Sequence, residues 1–303
     1  MLSERETALA VVQHRNGRQP LLKHCGIHPG EEIRPEHVLS AFLRGDTARA
    51  AVSGVIGADD YQLVQVEAPE VPAEEINDAV RWKLREVLNF PVIDAVVDTF
   101  EVPQSPVRSQ NKMISAVAAR NVAVQRLTET VVPHAPGFDV IDIPELCLRN
   151  LCVLLPQDAK GVALLAFGEG FAYLILTRQG VLYLTRRIEL RKPFDARLDA
   201  SLDDAAAKPS SGIDAAALAL ELQRSLDYYE SFFDQVPIAN LVLAPGDARA
   251  KLLAEELRPE ISLQIELFAA ERLFEVDAST EIDTRWRGLL ALGAAARPSK
   301  AGH

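Results

Sequence analysis

The chain has 303 residues, 48 % of them apolar and 25 % charged, with a formal net charge of −11 and a pI near 5.1. That length suits about two ordinary domains with sizeable cores. An acidic surface repels phosphate backbones and anionic lipid heads, so nucleic acid is set aside as a ligand.

The three cysteines, Cys25, Cys147 and Cys152, are too few and too scattered for a disulfide framework and read as reduced, packed thiols. The start, Met1-Leu2-Ser3-Glu4-Arg5-Glu6, is polar and does not read as a signal peptide. The longest apolar stretch, residues 162–177, is broken by Glu169 and two glycines. It falls short of the roughly 20 apolar residues that a membrane span needs. The expectation is a cytoplasmic protein with no direct membrane insertion, brought to a membrane only by a partner.

In chain order, residues 7–12 read as a strand, Asn16-Gly17 as a tight hairpin turn and Leu21-Leu22 as its return. Residues 48–56 and 61–66 read as further strands. A helix follows, with Ile76, Ala79, Val80, Leu84, Val87 and Leu88 on one face and Glu74 and Glu75 in its first turn. Asn89-Phe90-Pro91 ends it, because proline disfavours helical geometry in the residue before it. Trp82 falls off the apolar stripe, and partial burial is expected of it. Strands at 95–102 and 113–119 flank a polar loop; a helix at 122–132 and a strand at 138–143 complete the first half.

The second half opens with three strands, 162–167, 171–177 and 181–188, joined by Gly168-Glu169-Gly170 and Arg178-Gln179-Gly180 as a meander. Residues 191–212 read as a weakly structured linker. A helix at 213–233 carries Leu218, Leu222, Leu226, Tyr229 and Phe233 on one stripe, with Ser211 to Asp214 as its capping box. Of Tyr228 and Tyr229, one belongs to the core and the other to the boundary. A strand at 241–244 runs into Pro245-Gly246-Asp247, with Asp247 as the N-cap of a helix ending at Pro259. A strand at 261–267 and a small-residue helix at 286–296 close the chain. Strands alternating with helices predict a mixed α/β fold.

No Ser–His–Asp or Cys–His arrangement is suggested, and no catalytic residue is named. His24, Cys25, His28 and His37 match no common zinc spacing, so no metal site is expected. Arg186-Arg187 at a strand end reads as solvated or salt-bridged.

Four stretches together carry a resemblance. They are Ala79-Val80-Arg81-Trp82-Lys83-Leu84 with Asp94-Ala95-Val96-Val97-Asp98 downstream; the meander ending in Thr185-Arg186-Arg187-Ile188; Arg224-Ser225-Leu226-Asp227-Tyr228-Tyr229; and Leu289-Leu290-Ala291-Leu292-Gly293. In this order, over nearly the whole chain, they resemble the PilM family of type IV pilus assembly proteins, most nearly its MSHA-pilus, MshI-like branch.

The resemblance implies an actin-like (ribonuclease H-like) two-lobed α/β fold with an inserted small α/β (SHS2-like) subdomain. The first-lobe core would take residues 1–59 and 138–158, the insert 60–137 and the second lobe 159–303, with 191–211 as a flexible linker. It implies a cytoplasmic scaffold, peripheral to the inner membrane, that grips the cytoplasmic N-terminal segment of a PilN-like membrane protein. The pilus motor ATPase is a further implied partner, and Trp82 is the candidate partner-binding residue. An actin-fold ATPase of the same machinery and a GspL-like cytoplasmic domain of type II secretion are the alternatives.

Actin-fold ATPases hold Mg²⁺–ATP with aspartate-led glycine turns. Here the first turn reads Ala10-Val11-Val12-Gln13-His14-Arg15-Asn16-Gly17, without aspartate. The second reads Ala166-Phe167-Gly168-Glu169-Gly170, with Ala166 where the family has aspartate. Gly246 and Asp247 stand at the nucleoside turn. The degenerate nucleotide candidates are therefore Gly168, Glu169, Gly170, Gly246 and Asp247, with neither ATP nor Mg²⁺ expected as a cofactor.

Overall fold

The computed structural model describes residues 1–2, 6–30, 34–44, 47, 50–106, 112–191, 194, 210–277 and 280–298. The linker expected at 191–212 lies largely outside them. The chain divides into two compact units, Met1–Ala8 with His28–Pro144, and Leu9–Ile27 with Glu145–His303.

In the first unit, α1 (Pro35–Phe42) is followed by β3 (Val52–Val55), which pairs in parallel with β7 (Phe138–Asp142). Of the strand expected at 48–56, residues 48–49 lie outside the described residues, and 52–55 are in the ladder. A second sheet has the order β4-β6-β5, from β4 (Tyr61–Glu67), β6 (Met113–Arg120) and β5 (Ala95–Glu101), all antiparallel. The helix α2 (Ile76–Leu84) buries Val80 and Leu84 against Ala95, Val97, Ile114, Ala116 and Ala118. It ends four residues before the expected Leu88, and Val87 is 52 % exposed. The amides of Val87 and Leu88 both return to the Leu84 carbonyl, closing a turn at which the helix stops. The helix α3 (Asn121–Val131) lies across β3. A Cβ on Gly54 would stand 2.8 Å from the Leu127 side chain and 3.0 Å from the Phe138 ring, so glycine permits this crossing.

The second unit holds most of β1 (Glu6–Gln13) and β2 (Leu21–Pro29), which form a sheet with β13 (Glu275–Val276) in the order β1-β2-β13. Its larger sheet has the order β10-β9-β8-β11-β12. The meander β8 (Val162–Phe167), β9 (Phe171–Arg178) and β10 (Val181–Glu189) is antiparallel, as expected from its glycine turns. On its other side β8 runs parallel to β11 (Asn240–Ala244), which runs parallel to β12 (Gln264–Leu267).

One core joins Leu165, Leu174 and Leu176 of this sheet to Leu222 and Tyr229 of α5 (Ala215–Phe233) and Leu253 and Leu257 of α6 (Ala248–Leu257). Tyr229 is fully buried and Tyr228 is 42 % exposed. The α5 cap is Asp214, whose carboxylate accepts from Ala217 N at 3.1 Å; Ser211 instead binds Glu256, so the expected capping box does not form. The helices α4 (Pro144–Leu154) and α8 (Trp286–Ala295) pack so closely that a Cβ on Gly293 would lie 2.2 Å from the Cys147 carbonyl oxygen. A short helix, α7 (Ala270–Leu273), links β12 to β13.

Candidate functional site

In the first unit, separate segments meet around an open cleft of about 440 Å³. The chain leaves β3 through Val55, Ile56 and Gly57, held by Ile56 N donating to the Asp142 carbonyl at 3.0 Å and Asp60 N to the Gly57 carbonyl at 3.0 Å. Pro35 opens α1, where a missing N–H costs nothing. Arg34 precedes it and accepts on its carbonyl from His37 N and Val38 N. From α3 come Val122, Ala123, Arg126, Leu127 and Thr130, and Leu2 completes the lining.

The floor is apolar: Val55, Ile56 and Leu127 are buried. Val122, 69 % exposed, stands at the rim, which carries Arg34, Glu36, Asp60 and Arg126. The fold brings the cleft's residues together from four distant stretches, and sequence reasoning singled out none of them as site residues.

Trp82 is 74 % exposed, not partly buried as expected. It lies about 200° around α2 from the buried Val80, on the solvent side. Ile93, on the turn that follows α2, is 81 % exposed. Arg81 ties that turn and the start of β5 to the helix by donating to the Val92 carbonyl at 3.4 Å and the Ala95 carbonyl at 2.9 Å.

The nucleotide candidates lie in the second unit. Ala166 and Ala244 pair across the parallel β8–β11 ladder, so the fold does bring the Gly168–Glu169–Gly170 and Gly246–Asp247 turns to neighbouring strand ends. Both alanines are fully buried. Gly168 N donates to the Phe171 carbonyl at 2.9 Å, and Leu190 N to the Gly170 carbonyl at 2.8 Å. Gly170 has φ +80°, a conformation that favours glycine. Glu169 is exposed at the tip of the hairpin. Asp247 caps α6 by accepting from Ala250 N at 2.8 Å.

Beside the hairpin, Trp286 stacks on Tyr173 at 5.5 Å and meets Phe171 edge-on at 5.2 Å, while the Arg187 guanidinium lies 4.3 Å from the Phe171 ring centre. Arg187 also pairs with Glu189 at 3.0 Å, and Arg186 with Glu221 at 3.2 Å. Among the described residues, no group of three or more His, Cys, Asp or Glu is placed to hold a metal ion.

No protein-family model matches the chain, and no curated protein does. Its fold is similar to a solved structure described as a PilM–PilN type IV pilus biogenesis complex, with a TM-score of 0.65 and 20 % identity over 97 % of this chain and 96 % of that one. It is also compared with a Bacteroides thetaiotaomicron protein of actin-like ATPase fold, at TM-score 0.46 and 9 % identity over 90 % and 93 % of the two chains. A third comparison is the cytoplasmic domain of EpsL, an inner-membrane component of the Vibrio cholerae type II secretion system, at TM-score 0.43 and 12 % identity over 95 % and 94 %. At these identities the likeness is one of fold, and the chain is an α/β protein of the actin-like fold, built like the protein of the pilus complex.

Proposed function

We propose that this chain is an adaptor of type IV pilus biogenesis, of the MSHA type, that grips the cytoplasmic N-terminal segment of a PilN-like inner-membrane protein. The observation that carries the reading is the first-unit cleft, in a fold similar to that of a PilM–PilN complex. An extended segment placing apolar side chains on Val55, Ile56 and Leu127, and polar ones at the Arg34–Asp60 rim, satisfies both halves of its chemistry. Among the described residues no helix is long and apolar enough to cross a membrane, which agrees with attachment through a partner. The exposed Trp82 is the candidate for a second contact, with the pilus motor ATPase as its partner.

The test is titration of the chain with a synthetic peptide of the PilN-like protein's N-terminal cytoplasmic segment. Saturable 1:1 heat is expected; no heat at millimolar peptide overturns the assignment. The MSHA branch is checked by gene deletion, which should remove MSHA pili and leave other type IV pili in place. Cell fractionation checks location: the chain should leave the membrane fraction when the PilN-like protein is deleted.

A further inference from the structure

We infer that the glycine turns of the second unit do not accept a magnesium–nucleotide, so that partner capture by this chain is independent of nucleotide. The inference rests on the adaptor reading for its second clause alone. Its first clause follows from how each turn is filled.

Holding Mg²⁺–ATP requires carboxylates or their waters for the metal, and free backbone amides for the phosphates. At the first turn, residues 13–20 contain no acid, and Arg15 is held by Glu275 at 2.5 Å. At the second, the strand position that would carry an aspartate is the fully buried Ala166. The Gly168 amide is already bonded across the hairpin, and a Cβ on Gly168 would meet the Phe171 ring at 2.4 Å. Protein therefore occupies that face of the glycine. The ring is in turn fixed by Trp286 and Arg187.

At the third turn, a Cβ on Gly246 would lie 1.9 Å from the Phe268 carbonyl oxygen. This glycine lets a neighbouring backbone pass; it does not open a face to a ligand. Glu169 and Asp247 are the acids left in the second and third turns. Asp247 faces its own helix, accepting from Ala250 N, and its negative charge opposes an anion at that helix end. Glu169 stands alone on the hairpin tip. A single exposed carboxylate does not replace the usual set of metal ligands.

The experiment uses the full chain in two arms. Thermal unfolding and isothermal titration with Mg²⁺–ATP and Mg²⁺–ADP form the first, since a ligand that binds only the folded state must raise Tm. The expected result is no shift and no saturable heat up to about 5 mM nucleotide, conditions under which a Kd of about 50 μM would give a clear shift. The second arm titrates the PilN-like peptide with and without Mg²⁺–ATP, and equal affinities are expected. Saturable nucleotide binding, or a peptide affinity that nucleotide changes more than about threefold, overturns the inference. Failure of the peptide in both conditions refutes the adaptor reading instead, and the first arm still decides nucleotide binding.

Discussion

The Thr177 hydroxyl donates a 2.6 Å hydrogen bond to the Asp158 carboxylate, and both residues are almost sealed from water. The other carboxylate oxygen accepts from Gly180 N at 2.6 Å, and the Asp158 carbonyl accepts from Gln179 N at 2.8 Å. Asp158, on the short turn that follows α4, thus holds the β9–β10 connection together with Arg149, whose guanidinium donates to the Gly180 carbonyl. Thr177→Val keeps the shape and removes a bond to a charged group, so a loss of about 1.5–3 kcal/mol is expected. Urea unfolding should show a lower midpoint with an unchanged m value.

The cleft predicts a variant that separates binding from folding. Val122 sits on its rim, 69 % exposed, so Val122→Asp should change stability by no more than about 0.5 kcal/mol. A carboxylate at that point faces an apolar segment and must be desolvated on binding. Affinity for the PilN-like peptide is expected to fall at least about tenfold, which is roughly 1.4 kcal/mol. An unchanged peptide Kd removes the cleft from the interface.

The two tryptophans differ enough to be told apart. Trp82 is open to water, whereas Trp286 is half-buried, stacked on Tyr173 and edge-on to Phe171. Acrylamide should quench the native protein in two populations, and Trp82→Ala should abolish the accessible one. The same variant should leave Tm nearly unchanged, because it gives up little buried area. A weaker pull-down of the motor ATPase by Trp82→Ala would assign that surface; full retention refutes it.

Burial pushes the Cys25 thiol up to about 12, helped by the nearby Asp283 charge and opposed by the bond to the Asp283 backbone. Burial raises Cys152 as well. Unfolded thiols titrate near about 8.5. A folded value above the unfolded one gives stability that is complete below about pH 8.5 and lost as pH rises toward the folded value. The urea midpoint should therefore fall between about pH 8.5 and pH 10.5, and a Cys25→Ala, Cys152→Ala variant should fall less. Both thiols should react with Ellman's reagent only after unfolding.

The meander was legible because short glycine turns separated three apolar runs, and α6 because Asp247 and Pro259 marked its ends. The helix α4 was not: Cys147, Leu148, Leu151 and Cys152 are all fully buried, and Cys147 and Cys152 lie on different sides of the helix, which blurs the periodicity of an amphipathic helix. The strand at 261–267 proved shorter because the Ile261 amide still returns to the Leu257 carbonyl, extending the turn that ends α6. The cleft was illegible for a different reason. Leu2, Arg34, Ile56 and Arg126 are neighbours only after the chain has folded. Glycines 168 and 246 stood in the sequence only as degenerate nucleotide candidates, because composition cannot tell a glycine that admits a phosphate from one that admits its own chain.

Gly54 on β3 lies against Leu127 of α3, and Leu127 is one of the residues that line the cleft. A methyl at 54 would meet the Leu127 δ-methyl at 2.8 Å and the Phe138 ring at 3.0 Å, so one of these side chains must shift to admit it. Changes of partner preference in relatives of this chain should therefore accumulate at Arg34, Glu36, Val122 and Arg126, while the glycine stays constant. On the proposed adaptor reading, the floor would fix the gauge of the segment that enters, and the rim would choose among segments of that gauge.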